Sequence, residues 1–327
     1  MKFALVPFFL WALSAGCVSF YDVGAPVLES RDATTSDATE RCPDALDASD
    51  ILRDAPSDGP VDAGADVAPL VIAGWALAPA GSFVMGSPAG EAGRNVDETQ
   101  HRVVLTRAFE MMENEVTNED WASVFDGEVD ECGACPVASV SWFGALAYAN
   151  ALSSEVGLEA CYTLRNCVEE PESGDPLSCN KNVGFVGLDC EGYRLPTASE
   201  WEYAARAGAD GPYPNEAELS SFSICRAGGV STVGTRLANA WGIRDVLGNV
   251  DEWVFSTYEA YPLEEVTDPT PQSSGALPVT RGGGYDSSGT CRIADRDFAA
   301  RDFVAPSLGF RLVRSLRPDQ VAHRFAR

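Results

Sequence analysis

The spacing of apolar residues divides this chain into parts. Phe3 to Leu13 is an apolar run behind Met1-Lys2, too short to span a bilayer comfortably, and Ser14-Ala15-Gly16-Cys17 follows as a small-residue cleavage site ending in cysteine. Residues 18–74 then lose hydrophobic periodicity altogether, with Asp22, Asp32, Asp37, Asp44, Asp47, Asp50, Asp54, Asp58, Asp62 and Asp66 set among Ala, Ser, Thr, Pro and Gly. Such a segment buries too little apolar surface to offset its ordering entropy, so it reads as an extended, disordered tether. Its aspartates keep no fixed period, which argues against a calcium-binding repeat.

Structure-forming patterns return in residues 75–316. Gly81 to Gly86 reads as a strand closed by glycine, and His101 to Met112 alternates Val103, Leu105 and Phe109 with polar positions as a half-buried strand does. Thr117 is placed to cap a short helix whose buried stripe is Trp121 and Phe125. Ser141 precedes Trp142, Ala145, Leu146, Ala149 and Leu152 at the spacing of an amphipathic helix. Thr197-Ala198-Ser199-Glu200 is a capping box opening a helix that buries Trp201, Ala204 and Ala205 and stops near Gly208. Arg281 to Tyr285 and Gly309 to Val313 predict short strands joined by glycine-rich turns, and residues 317–327 a solvated tail.

The densest stretch is Gly242 to Trp253, where Gly248-Asn249 supplies a tight turn between Val246-Leu247 and Val250. Asp245 and Glu252 flank it and, with turn carbonyls, offer the oxygen ligands that a hard cation takes. Spacing alone equally allows a plainer arrangement, Asp245 bracing the turn and Glu252 paired with an arginine.

The formal charge of -26 comes in part from the tether and identifies no partner. The absence of a basic stripe argues against nucleic acid. Cys17 sits at the cleavage site and Cys42 in the tether; Cys132, Cys135, Cys161, Cys167, Cys179, Cys190, Cys225 and Cys291 are an even set, as disulfides of an oxidising compartment require. The four from Cys161 to Cys190 close the loop before Arg194, and Cys132 with Cys135 makes either a local bridge or, as a lone CxxC, a zinc site. A Cys225 to Cys291 bridge is a further pairing that the count allows.

The signal resembles that of bacterial lipoproteins, which would lipidate Cys17 and anchor the mature chain to a membrane; ordinary secretion is the other reading. Val18 carries no aspartate-type inner-membrane signal, which points to the outer membrane or cell surface. In order, FVMG (Phe83 to Gly86), His101, EVT (Glu115 to Thr117), PVASVSW (Pro136 to Trp142), RLPTASEWEYAAR (Arg194 to Arg206), GNVDEW (Gly248 to Trp253), RGGGY (Arg281 to Tyr285) and GFRLV (Gly309 to Val313) resemble the formylglycine-generating enzyme family, which includes the sulfatase-modifying factors.

That resemblance implies one irregular α+β, C-type-lectin-like domain with few regular elements and a structural calcium ion. The family's calcium loop matches Asp245, Gly248, Val250 and Glu252, the middle two through their carbonyls; no second calcium site is matched. Family members hold copper(I) through two cysteines after the RGG motif and oxidise a sulfatase cysteine to formylglycine. Here Ser287 and Arg292 occupy those positions, Gly284 replaces a serine, and Cys291 stands one residue off. A hydroxyl and a guanidinium do not replace soft thiolates, so copper is not expected. Iron is not expected either, since His101 and His323 are the chain's histidines and His101 reads as a scaffold residue. The family cleft would be lined by Arg281, Ser287, Cys291, Arg292 and Arg311, three of them arginines that favour an anionic ligand or peptide carboxylate. The expectation is a divergent, lipid-anchored domain binding an exported polypeptide or glycan there, the alternative being a formylglycine-generating oxidase with Ser287, Cys291 or Arg292 in the chemistry.

Overall fold

A computed structural model describes residues 74–327 except 126–128, 130, 169–177, 181, 215–218, 222, 271–276, 288–290 and 326–327. The signal segment, the tether and Cys17 lie outside the described residues, and so does the side chain of His323.

The chain opens with β1 (Trp75–Ala78), β2 (Gly81–Met85), β3 (His101–Leu105) and β4 (Phe109–Met112), followed by α1 (Asn118–Phe125) and α2 (Trp142–Glu155). Short strands β5 (Tyr162–Thr163), β6 (Gly184–Phe185) and β7 (Tyr193–Arg194) lead into α3 (Ala198–Arg206). Then come β8 (Ser223–Ile224), β9 (Leu247–Gly248), β10 (Asp251–Thr257), β11 (Val266–Thr267), β12 (Pro278–Arg281), β13 (Arg296–Phe298), β14 (Leu308–Gly309), β15 (Val313–Ser315) and α4 (Pro318–Phe325). Strands far apart in sequence are neighbours: one sheet runs β1-β4-β15-β7, a second β13-β12-β10-β14, a third β11-β3-β2, with β5-β6 and β8-β9 as two-stranded pairs. This is the irregular α+β architecture expected. None of the helices described is long and apolar enough to cross a membrane.

The capped helices form as their signals predict. Ser141 Oγ accepts from Gly144 N at 3.0 Å, and α2 buries Trp142, Phe143, Ala145, Leu146, Tyr148 and Ala149 in one half of the core. In α3 the capping box closes both ways, Glu200 N to Thr197 Oγ1 at 3.2 Å and Thr197 N to Glu200 Oε2 at 2.8 Å. The left-handed Ala207, φ 44°, ends it one residue before Gly208. Every residue of α3 is buried, so its charged side chains must find partners inside the protein.

Two expectations change. The alternation from His101 to Met112 is two strands in different sheets, because the chain leaves the β2-β3 hairpin at Thr106 and re-pairs at Phe109 with β1 and β15. Phe125 is 41% exposed and Trp121 only half-buried, although their rings touch at 4.7 Å; α1 buries Ala122 and lies at the edge of the core.

Candidate functional site

The end of β12 and the glycines after it open a cleft of about 740 Å³, lined from one side by Arg281, Gly282, Gly283, Ser287 and Cys291 and from the other by residues 94–97 and 295–297. Gly283 must be glycine. Its φ is +71°, and a Cβ would come within 2.9 Å of Ser287 Oγ and 3.2 Å of Cys291 Sγ. Its amide donates to Asp251 Oδ1 at 2.9 Å, and the next amide, Gly284 N, donates to Ser287 Oγ at the same distance. The glycine run thus brings Asp251, Ser287 and Cys291 to one place.

None of the three arginines expected to greet an anion does so. Arg281 is fully buried: Nη2 meets Glu202 Oε2 at 2.5 Å, Nη1 donates to the Asp295 carbonyl at 2.7 Å, and the guanidinium lies 4.9 Å from the Trp201 ring centre. Arg292 is clamped by Glu98 (Nη2 to Oε1 2.5 Å) and Glu91 (Nη1 to Oε1 2.6 Å). Arg311 lies away from the cleft lining, donating to Glu252 and to the carbonyls of Met112, Glu113 and Arg244. A buried guanidinium is tolerable only when a carboxylate and carbonyls satisfy its donors, so the arginines serve the scaffold. The expectation of an anion-binding cleft is corrected accordingly.

The lining is acidic instead. Asp97, Asp251, Asp286, Asp295 and Asp297 face the same space as Arg94, Arg281 and Arg296. Arg296 is spent on Asp97, Nε to Oδ2 2.9 Å, and stacks on Tyr261, 3.9 Å from the ring centre. Burial pushes the Asp251 carboxyl up to about 7 against the pull of the Gly283 amide, with Asp297 and Asp295 adding to the rise. Burial and its like-charged neighbours likewise raise Tyr261 to about 12, opposed by Arg281. His101 behaves as a scaffold residue. It is buried, 3.2 Å from the Thr99 carbonyl through Nδ1 and 4.8 Å from the Tyr261 ring, and burial lowers its pKa.

Cys291 forms a disulfide with Cys225, and the other described cysteines pair as Cys132–Cys135, Cys161–Cys190 and Cys167–Cys179. The Cys132–Cys135 bridge removes those thiolates from any zinc site. At the copper positions stand the Ser287 hydroxyl and the ion-paired Arg292, with the neighbouring Cys291 sulfur already bonded, so this donor set does not fit copper(I).

Calcium ligands in the loop fare unevenly. Asp245 (φ 54°), Gly248 (φ 89°) and Asn249 (φ 61°) make the tight turn expected. Both Glu252 oxygens, however, are taken, Oε1 by Arg311 Nη2 at 2.7 Å and Oε2 by Arg311 Nε and Trp201 Nε1 at 2.8 Å each. Asp245, Gly248, Val250 and Glu252 therefore do not fit calcium as a set. Glu252 adopts the plainer alternative read from the sequence, a carboxylate paired with arginine.

Sequence reasoning missed Glu202, which holds Arg281, Arg206 and the Gly86 amide together. Its signal was the Glu202-Arg206 pair, one turn apart on α3. Glu115 of the EVT motif is a second buried acid that no local pattern marks.

Residues 68–316 match the family model for the sulfatase-modifying factor enzyme 1-like domain. The chain is 29% identical over 237 residues to the chaperone protein LppX of Paenibacillus barcinonensis, covering 62% of this chain and 78% of that one. It is 28% identical over 279 residues to the formylglycine-generating enzyme of Streptomyces coelicolor, covering 71% and 86%. Among solved structures, Treponema denticola variable protein 1 superposes with a TM-score of 0.62 at 27% identity, over 74% of this chain and 95% of that one. PvdO from Pseudomonas aeruginosa, at TM-score 0.58 and 23% identity over 74% and 94%, shares the fold.

Proposed function

The chain belongs to the sulfatase-modifying factor enzyme 1-like domain family, and on that premise we propose that it is an extracytoplasmic, lipid-anchored domain that binds an exported polypeptide in the family cleft without oxidising it. One observation carries the reading: the cleft is open at about 740 Å³, while the cysteine beside its copper position is locked to Cys225. Four disulfides agree with an oxidising compartment. The similarity to a protein named as a chaperone makes a polypeptide the favoured ligand over a glycan.

The ligand's charge follows from the lining. Arg281 and Arg296 are neutralised, whereas Asp286 and Asp297 are exposed at the mouth and Asp251 stands inside. A cationic segment, lysine- or arginine-bearing, complements that field and would bind in a salt-dependent way.

Calorimetric titration of the mature protein with an acetylated Lys-rich peptide, a Glu-rich peptide and a neutral oligosaccharide tests this. Binding of the first alone, weakened at least tenfold by Asp286→Asn with Asp297→Asn, is the expected result. Preference for the Glu-rich peptide or the oligosaccharide refutes the charge assignment. The oxidase alternative predicts that copper(I) and oxygen convert a sulfatase-type cysteine peptide to an aldehyde, which mass spectrometry would detect; that outcome defeats the binding-only reading.

A further inference from the structure

Beside the cleft lies a second pocket of about 160 Å³, and Arg296 lines both. The second pocket is lined by the start of α3, by the end of β10 with the segment after it, and by the apolar Met85, Val266 and Val279. A helix start leaves four amides without intrahelical acceptors. In α3 three of them are met. Thr197 N donates to Glu200 Oε2 at 2.8 Å, Glu200 N to Thr197 Oγ1 at 3.2 Å, and Ala198 N to Ser256 Oγ at 2.9 Å. The fourth, Ser199 N, has no partner among the described residues. The Ser199 hydroxyl has none there either, although the residue is only 6% exposed and lines the pocket.

Tyr261 supplies a further unanswered group on the same pocket. Its ring is fixed by Arg296, 3.9 Å from the ring centre, and by His101, 4.8 Å centre to centre, while its hydroxyl is buried without a hydrogen-bond partner. Buried polar groups without partners are rare, because each forfeits its hydration without replacement. Three donors on one small pocket call for an acceptor. The side-chain charges around them are already matched: Arg296 pairs with Asp97, Glu200 with Arg194, and Glu202, which faces His101, with Arg206 and Arg281. Glu259 also lines the pocket but is exposed, where water and salt screen it. What stays unmatched is the positive end of α3.

We infer that this pocket binds a carboxylate on a short aliphatic stem, its oxygens accepting from the Ser199 amide, the Ser199 hydroxyl and the Tyr261 hydroxyl. The stem lies against Met85, Val266 and Val279, which favours an organic acid over an inorganic anion. The volume is that of about five water molecules at about 30 Å³ each, room for a carboxylate and a few carbons. A free short-chain acid and the C-terminal carboxylate of a polypeptide present this same chemistry. The site stands independently of what the acidic cleft binds, and it reverses the cleft's preference of charge.

The test titrates the mature protein with propionate, with propionamide, and with acetyl-trialanine whose C terminus is free or amidated. Calorimetry gives the affinity, and the ring-proton signal of His101, which lines the pocket, reports by NMR where the probe sits. A carboxylate probe should saturate at one per chain and shift that signal, with the matching amide at least tenfold weaker. Saturation by propionate assigns a free acid; saturation by the free-carboxyl peptide alone assigns a polypeptide terminus. Ser199→Ala and Tyr261→Phe should each weaken binding at least threefold. Both should fold as wild type, since neither hydroxyl is bonded among the described residues. No saturation by either carboxylate, equal binding of acid and amide, an unmoved His101 signal, or wild-type affinity in either variant overturns the inference.

Discussion

Arg311 grips Glu252 on both oxygens, Nη2 to Oε1 at 2.7 Å and Nε to Oε2 at 2.8 Å, with neither side chain more than 1% exposed. The pair joins β10 to the segment between β14 and β15, strands of two different sheets, and takes the acid that the loop's spacing offered to a cation. Removing one partner leaves the other charge buried and alone. Arg311→Met should therefore cost about 3–5 kcal/mol, measured by urea unfolding. Adding Glu252→Leu should recover part of that loss, since the double variant removes the carboxylate that Arg311 had gripped; equal losses for single and double variants would contradict this account.

Asp251 gives the cleft its pH dependence. Its carboxyl is raised to about 7 by burial, above its unfolded value, so the folded state holds the proton more tightly. Its contribution to stability is complete below the unfolded value of about 4 and is lost as pH rises through the folded value. Asp251→Asn, which keeps an acceptor for the Gly283 amide, should match wild type near pH 5 and be the more stable at pH 8. Binding of a cationic peptide should move the opposite way, strengthening from pH 6 to pH 8 in wild type and staying flat in the variant.

Local signals were readable wherever neighbours in sequence settle the structure. Thr197 and Glu200 close their capping box, Ser141 caps α2, and Gly248-Asn249 turns the chain with positive φ at both residues. What could not be read depended on distant partners. Arg281 looked like a cleft arginine because its match, Glu202, is 79 residues earlier, and Arg292 finds Glu98 across 194 residues. The apolar alternation through His101 to Met112 fits one strand as well as two, since periodicity records which face is buried and not which neighbour buries it. The glycine run after β12 brings Ser287 and Cys291 to the cleft, whereas its acidic opposite wall, Asp97, Asp295 and Asp297, belongs to segments with no pattern of their own.

The Cys225–Cys291 bridge closes 66 residues of chain, which by loop entropy is worth about 4 kcal/mol. Replacing both cysteines by alanine should lower stability by roughly that amount, within a usual range of about 2–5 kcal/mol, and should leave copper(I) unbound. Peptide mapping after alkylation of the unreduced, denatured protein should find Cys225 and Cys291 unmodified. Alkylated Cys291, or copper held at one equivalent by the wild type, would reopen the redox chemistry of the cleft.

The tightest backbone contact at the central turn lies at Gly248, whose φ is +89° and whose Cβ, if it had one, would sit 2.4 Å from the Ile224 carbonyl carbon and 2.5 Å from its oxygen. Those atoms belong to the partner strand β8, which pairs in parallel with β9 and cannot yield without breaking that pairing. Two penalties add, a left-handed conformation for a residue with Cβ and a collision with fixed backbone, so Gly248→Ala should destabilise by about 2–4 kcal/mol. Asn249 at φ 61° is different: its side chain spans the turn to Ser231, accepting from the amide at 2.9 Å and donating to the carbonyl at 3.2 Å. Asn249→Gly relieves φ and loses those two bonds, for a cost of about 1–2 kcal/mol. Chemical denaturation of both variants measures the difference, and a Gly248→Ala protein as stable as wild type would mean that β8 moves aside.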